Sequence, residues 1–222
     1  MKKMTISKRI KTHYLLMIAL TAISTSVFYI FWKDRETIQF IADVTGYISI
    51  FLLAFSLVLG SINLLLRRKN PISTYLRRDI GIFGGLLAVV HSVTGLFVHL
   101  RGKMWQYFLV ETDHGYSINL ENFGIANYSG AIAALLIMLL IIISNDYSLR
   151  KLKADRWKNL QRLSYLMFSL VLIHSILYSI ALKHISYIVY LYTPVFLAVL
   201  IFQLIGIKLK LQKQVGLINK ES

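Results

Sequence analysis

The sequence predicts an all-α membrane protein: a bundle of six transmembrane helices forming a single transmembrane domain over residues 1–222. Three observations carry that prediction. Hydrophobic residues make up 56% of the chain, and the mean hydropathy is +0.62, above the range of soluble domains. The apolar residues gather into six long runs, about 14–32, 44–66, 79–100, 124–144, 161–182 and 186–207. Each is close to the ~20 residues that cross a hydrocarbon core. The basic residues fall on one side of these runs.

Taken in order, the first run follows Lys2, Lys3, Lys8, Arg9 and Lys11. That pattern resembles a signal peptide, but the run continues through Val27–Trp32, too far for a signal h-region. It is expected to be a retained span. The second run ends at Arg67 and Arg68, and the connection 67–78 holds Pro71, which favours a turn. The third run leads into the longest connection, 101–123, where Trp105, Tyr107, Phe108 and Tyr116 suit an interfacial aromatic belt. After the fourth run, the basic stretch 145–162 is expected to be partly helical along the membrane surface. The fifth and sixth runs are joined by a short link, and Pro194 predicts a kink in the sixth.

The net charge is +15. If the N-terminus is cytoplasmic, only Lys33, Arg35, Arg101, Lys103 and Lys183 of the 25 Lys and Arg residues lie in outer connections. This bias is the positive-inside rule, and it places both termini in the cytoplasm of a multi-pass cell-membrane protein of bacterial type. The charge therefore reports topology and contact with lipid headgroups rather than nucleic acid, for which no motif is present. The chain has no cysteine, which excludes disulfides, iron–sulfur clusters, thiolate metal sites and thioether-attached haem. No Rossmann or P-loop fingerprint occurs. Gly81, Gly84 and Gly85 lie inside a span and cannot cradle a phosphate.

Six histidines remain. His13 sits at the inner edge of the first run and is expected to be interfacial; His114 is in the outer connection and is expected to be solvated. His91 follows Arg78 by 13 residues and His174 follows Arg162 by 12. At ~1.5 Å per residue both stand about 18–20 Å above the inner arginines, on parallel spans. Ionisable groups at that depth are costly and usually serve a task. Two imidazoles at one height can bind a haem iron from opposite faces. Gly84, Ala88 and Gly95 share the face of His91 and leave room for a flat macrocycle, although small residues also serve close helix packing. His99 and His184 form a possible second pair nearer the outer surface. The eight residues from His91 to His99 span only ~12 Å with an azimuth turned by ~80°, which fits an interfacial or propionate contact better than ligation.

"RRDIGIFGGLLAVVH" (77–91), "YSGAIAALLIMLLIIIS" (128–144) and "RWKNLQRLSYLMFSLVLIH" (156–174) together resemble the ferric reductase-like transmembrane domain family, including its small MsrQ/YedZ-type haem-binding subunits. The resemblance covers about 60–182, within a core of about 44–182. It implies six helices, b-type haem between the third and fifth, and electron transfer across the membrane, with His91 and His174 at the ligand positions. There is one departure. Where MsrQ-like sequences carry a histidine, this chain has Gln161, which cannot replace imidazole on haem iron. This departure weighs against an inner second haem, and against identity with MsrQ itself and its methionine sulfoxide reductase partnership, both of which the sequence leaves open.

The function expected is that of a transmembrane b-type cytochrome. Electrons would come from a cytoplasmic flavin reductase or a membrane quinol, with FMN or quinone as further cofactors. They would leave to ferric iron, a flavin or a partner oxidoreductase outside. Arg77, Arg78, Arg150, Arg156, Lys158 and Arg162 would dock an anionic donor, although the positive-inside rule alone also accounts for them. The alternatives are a proton-coupled transporter, or a haem-free scaffold subunit that uses the buried histidines structurally.

Overall fold

Residues 5–66, 71–101 and 103–221 are described by a computed structural model. Lys2, Lys3, Arg67 and Arg68, named above at the ends of the first two runs, lie outside the described residues. The chain begins with α1 (Ile6–Arg9), a π-helical turn (Ile10–Tyr14) and α2 (Leu15–Trp32). Then come α3 (Thr37–Leu65) and α4 (Pro71–Gly95). A connecting segment follows, with a 3-10 turn (Met104–Tyr107) and the strands β1 (Leu109–Thr112) and β2 (Gly115–Ile118). The remaining helices are α5 (Asn122–Ile143), α6 (Asp146–Gln161), α7 (Leu163–Ala181), α8 (Ile185–Tyr187) and, after a second π turn (Ile188–Tyr192), α9 (Thr193–Glu221).

Among the described residues, five helical stretches are long and apolar enough to cross a membrane: Ile6–Trp32, Thr37–Leu65, Asn122–Ile143, Asp146–Ala181 and Ile185–Gln212. The third expected run lies in α4, which is helical over 25 residues but is not one of the five. Arg77, Arg78, Asp79 and His91 all lie within its length and lower its hydropathy. Pro71 is the first residue of that helix rather than a turn. At this position its missing N–H costs nothing and its fixed φ suits the helix.

The helices present small and apolar faces to one another. Ile50, Leu53, Ala54 and Leu57 of α3 meet Ala88 of α4, Ile137 and Leu140 of α5, and Met167, Phe168 and Leu172 of α7 in one core cluster. α4 packs on α3 and α5, and α7 packs on α5, while α9 closes against α3. The outer faces stay apolar, as in Ile132, Leu135 and Ile142 of α5, because lipid surrounds them. Their polar backbone groups are satisfied within each helix.

Between α5 and α7, Asn145 caps α6 by accepting from the Ser148 N–H at 2.8 Å, and Lys153 breaks the helix with φ 60° and ψ 159°. The basic connection is thus two short helical pieces rather than one rod. Between α4 and α5, β1 and β2 form an antiparallel hairpin in which Thr112 pairs with Gly115 around Asp113 and His114. Gly115 has φ +117°, a conformation that suits glycine. His114 is exposed, as expected. Where a kink was expected at Pro194, a π turn stands just before it, and its Ile188 carbonyl accepts both the Thr193 N–H and the Thr193 hydroxyl, the latter at 2.7 Å.

Candidate functional site

His91 on α4 and His174 on α7 face each other. Their ring centroids are 6.1 Å apart and their planes are inclined by 71°. Each ring is held by a different helix. His91 Nδ1 lies 2.8 Å from the Ala42 carbonyl of α3, and His174 Nδ1 lies 2.8 Å from the Ala126 carbonyl of α5. A carbonyl can only accept, so each Nδ1 carries the proton and donates it. Each Nε2 then keeps its lone pair. Both rings are half-buried. A hydrogen bond of this kind fixes the tautomer and orientation of an imidazole and leaves its other nitrogen able to bind.

The small residues expected beside His91 have separate surroundings. Gly84 abuts Leu52 and Leu53 of α3, where a Cβ would stand 2.9 Å from the Leu52 Cβ. Ala88 is in the core cluster. Around Gly95, nothing lies within 4 Å of where a Cβ would be. The residues that touch the imidazoles are two other glycines, Gly46 and Gly130. They sit four residues after Ala42 and Ala126. Their sequence signal was present, as "ADVTG" (42–46) and "ANYSG" (126–130) repeat one pattern in the second and fourth runs.

His99 and His184 are not brought together. His99 is exposed, and its Nε2 is 2.7 Å from the Tyr178 hydroxyl. His184 follows Lys183, whose φ is 59°, and donates its N–H to the Ser179 carbonyl at 2.7 Å. That bond closes α7, and the His184 ring lies against Tyr187. Tyr178 in turn lies 5.6 Å from the His174 ring. Tyr107, only 3% exposed, donates its hydroxyl to the Gly95 carbonyl at 3.0 Å and stacks on Phe123. These aromatics form one cluster that continues from His174 through Tyr178 and Phe123 to Tyr107.

In and just after α6, Arg150, Arg156, Lys158 and Arg162 are exposed. Arg77 and Arg78 turn inward. The Arg77 guanidinium fills the space beside Gly60, and Arg78 pairs with Asp146 at 2.6 Å. Gln161 donates to the Ser144 hydroxyl at 3.2 Å. One cluster was not foreseen. His13 is buried rather than interfacial, and its Nδ1 is 2.6 Å from Asp79. Asp79 is 0% exposed and also binds Arg9 and the Tyr14 hydroxyl.

Residues 45–172 match the family model described as ferric reductase like transmembrane component. The chain belongs to the ferric reductase-like transmembrane family. The match covers His91, Gly46, Ala126 and Gly130, and it ends two residues before His174. No curated protein and no solved structure matches the chain. As a ferric reductase-like transmembrane component, it is a multi-pass membrane protein of a family that acts in electron transfer.

Proposed function

We propose that this ferric reductase-like chain is a transmembrane b-type cytochrome of six spans, with α4 as the third and both termini cytoplasmic. One haem b is held by His91 and His174 between the third and fifth spans. Single electrons pass from a cytoplasmic flavin reductase or a membrane quinol to an acceptor on the outer side, whether ferric iron, a flavin or a partner oxidoreductase.

The observation that carries this reading is the facing imidazole pair. A separation of 6.1 Å suits two imidazoles sharing one metal ion, each bonded nitrogen ~2 Å from it. Among the described residues no group of three His, Asp or Glu could hold a bare metal ion. Two neutral nitrogen donors alone make a poor site, and a porphyrin supplies the four further nitrogens. The donor set therefore fits haem.

Bound there, a haem supplies one-electron redox chemistry. The chain's own residues do the rest. The Ala42 and Ala126 carbonyls keep the protons on Nδ1 and hold each Nε2 free. The apolar core excludes water. Exposed Arg150, Arg156, Lys158 and Arg162 attract an anionic donor on the inner side. On the outer side, the ring of Tyr178 lies between His174 and exposed His99, which offers a short route from the site to the surface. The test is haem stoichiometry on purified full-length protein. One haem per chain, lost in both His91→Ala and His174→Ala, is the expected result. A folded, colourless protein from haem-replete cells would contradict the reading and favour a scaffold.

A further inference from the structure

Each imidazole meets the neighbouring helix at two points, and the chain uses the same device twice. On α3, Ala42 provides the carbonyl that accepts from His91 Nδ1 at 2.8 Å. One turn later, a Cβ on Gly46 would stand 2.7 Å from that same nitrogen and 2.9 Å from Cε1. On α5, Ala126 accepts from His174 Nδ1 at 2.8 Å, and a Cβ on Gly130 would stand 2.7 Å from that nitrogen and 3.0 Å from Cε1. Carbonyl and ring are 49 residues apart in the first case and 48 in the second. The likeness of the two sites is thus written into the sequence as well as into the geometry.

Contacts below 3.0 Å are not tolerated by real Cβ atoms, and here the neighbour is a ring nitrogen already committed to a hydrogen bond. The ring cannot swing away without lengthening that bond. The histidine carbonyl bond and the glycine therefore act as one unit: the carbonyl fixes which nitrogen is protonated, and the glycine lets the ring plane lie against the helix. We propose that Gly46 and Gly130 are positioning residues that set the ring planes of His91 and His174 and so keep each Nδ1 on its carbonyl partner. The inference rests on the haem reading for its consequence, but its geometry concerns the two rings alone. Outer partners of this kind typically change metal affinity by about 10–100-fold when altered.

The experiment compares Gly46→Ala, Gly130→Ala and Gly206→Ala in the full chain. Gly206 is the packing control. A Cβ there would stand 2.6 Å from the Ser61 hydroxyl oxygen, an equally tight contact with no histidine nearby. Two readouts are taken. The first is the low-spin signal of the haem-loaded protein in electron paramagnetic resonance, whose position follows the angle between the two imidazole planes. The second is the 15N resonance of the histidine side chains in protein from haem-depleted cells, which reports tautomer and hydrogen bonding without any haem. Gly46→Ala is expected to shift the His91 nitrogen resonances, and Gly130→Ala those of His174. Both should move the low-spin signal and lower haem affinity by about tenfold. Gly206→Ala should change neither readout. Wild-type resonances and a wild-type low-spin signal in both glycine variants would overturn the proposal. If the wild type bound no haem, the cytochrome reading would fail, and the nitrogen resonances would still decide the role of the glycines.

Discussion

At Asp79 a fully buried carboxylate binds Arg9, His13 and Tyr14, and so ties the start of the first span to α4. In the sequence Asp79 reads as a charge at the end of a span, because its partners stand 65 to 70 residues earlier and no local spacing shows them. Replacing it by Asn leaves the Arg9 charge without its counter-ion. Asp79→Asn should lower stability by about 3–5 kcal/mol, read as earlier thermal aggregation in detergent. The haem spectrum should not change, since Asp79 lies twelve residues, about 18 Å, below His91 on the same helix. Unaltered stability would mean the cluster contributes nothing. Gln161 poses a second residue-scale question. The residue at the corresponding distance below His91 is Arg78, and it is paired with Asp146. Gln161→His would therefore add an imidazole with no opposite number, and haem content should stay at one per chain. A second haem in that variant would show an inner pocket.

The helices were more legible than the connections. Apolar runs of about twenty residues are a strong signal, whereas the hairpin Leu109–Ile118 has strands of four residues and a turn through Asp113 and His114 without the usual Asn-Gly pair. Its sign was Gly115 after a short alternating stretch. In the sequence Pro71 reads as a turn, but it opens α4, because a proline is also accommodated at the first turn of a helix. In α6 the break at Lys153 separates Arg150 from Arg156 and Lys158, and all three are exposed. Charge reversal at Arg150 and Lys158 should slow reduction by an anionic donor, with the haem spectrum unchanged. The rate in the wild type should fall with added salt, as the Debye length shortens from ~10 Å at 0.1 M. A rate indifferent to both salt and charge would assign these residues to topology alone.

For the whole molecule, the pairing of His91 with His174 was foreseeable from depth alone, because helical rise converts sequence distance into height. What depth could not supply was the surroundings. Gly84 shares a helical face with His91, yet it abuts α3, and the glycines that do touch the rings lie on other helices. Periodicity describes one helix at a time, while a site belongs to four. The same limit applies where Tyr178 of α7 meets His99, four residues past the end of α4. If they form the exit route, Tyr178→Phe, which removes the hydroxyl and keeps the ring, should slow delivery to an outer acceptor while leaving haem content unchanged. Equal rates in the two proteins would place the exit elsewhere.

The central claim is that electrons cross the membrane through this one chain by way of the His91–His174 site. It is tested by sealed vesicles of known orientation holding the purified protein, with a reduced flavin or quinol donor on the inner face and a membrane-impermeant ferric chelate on the outer face. The expected result is reduction of the chelate by the wild type only when it faces the hairpin side, and none by His174→Ala. Equal reduction by wild type and His174→Ala, or no crossing with any donor while the wild type keeps its haem, would contradict it.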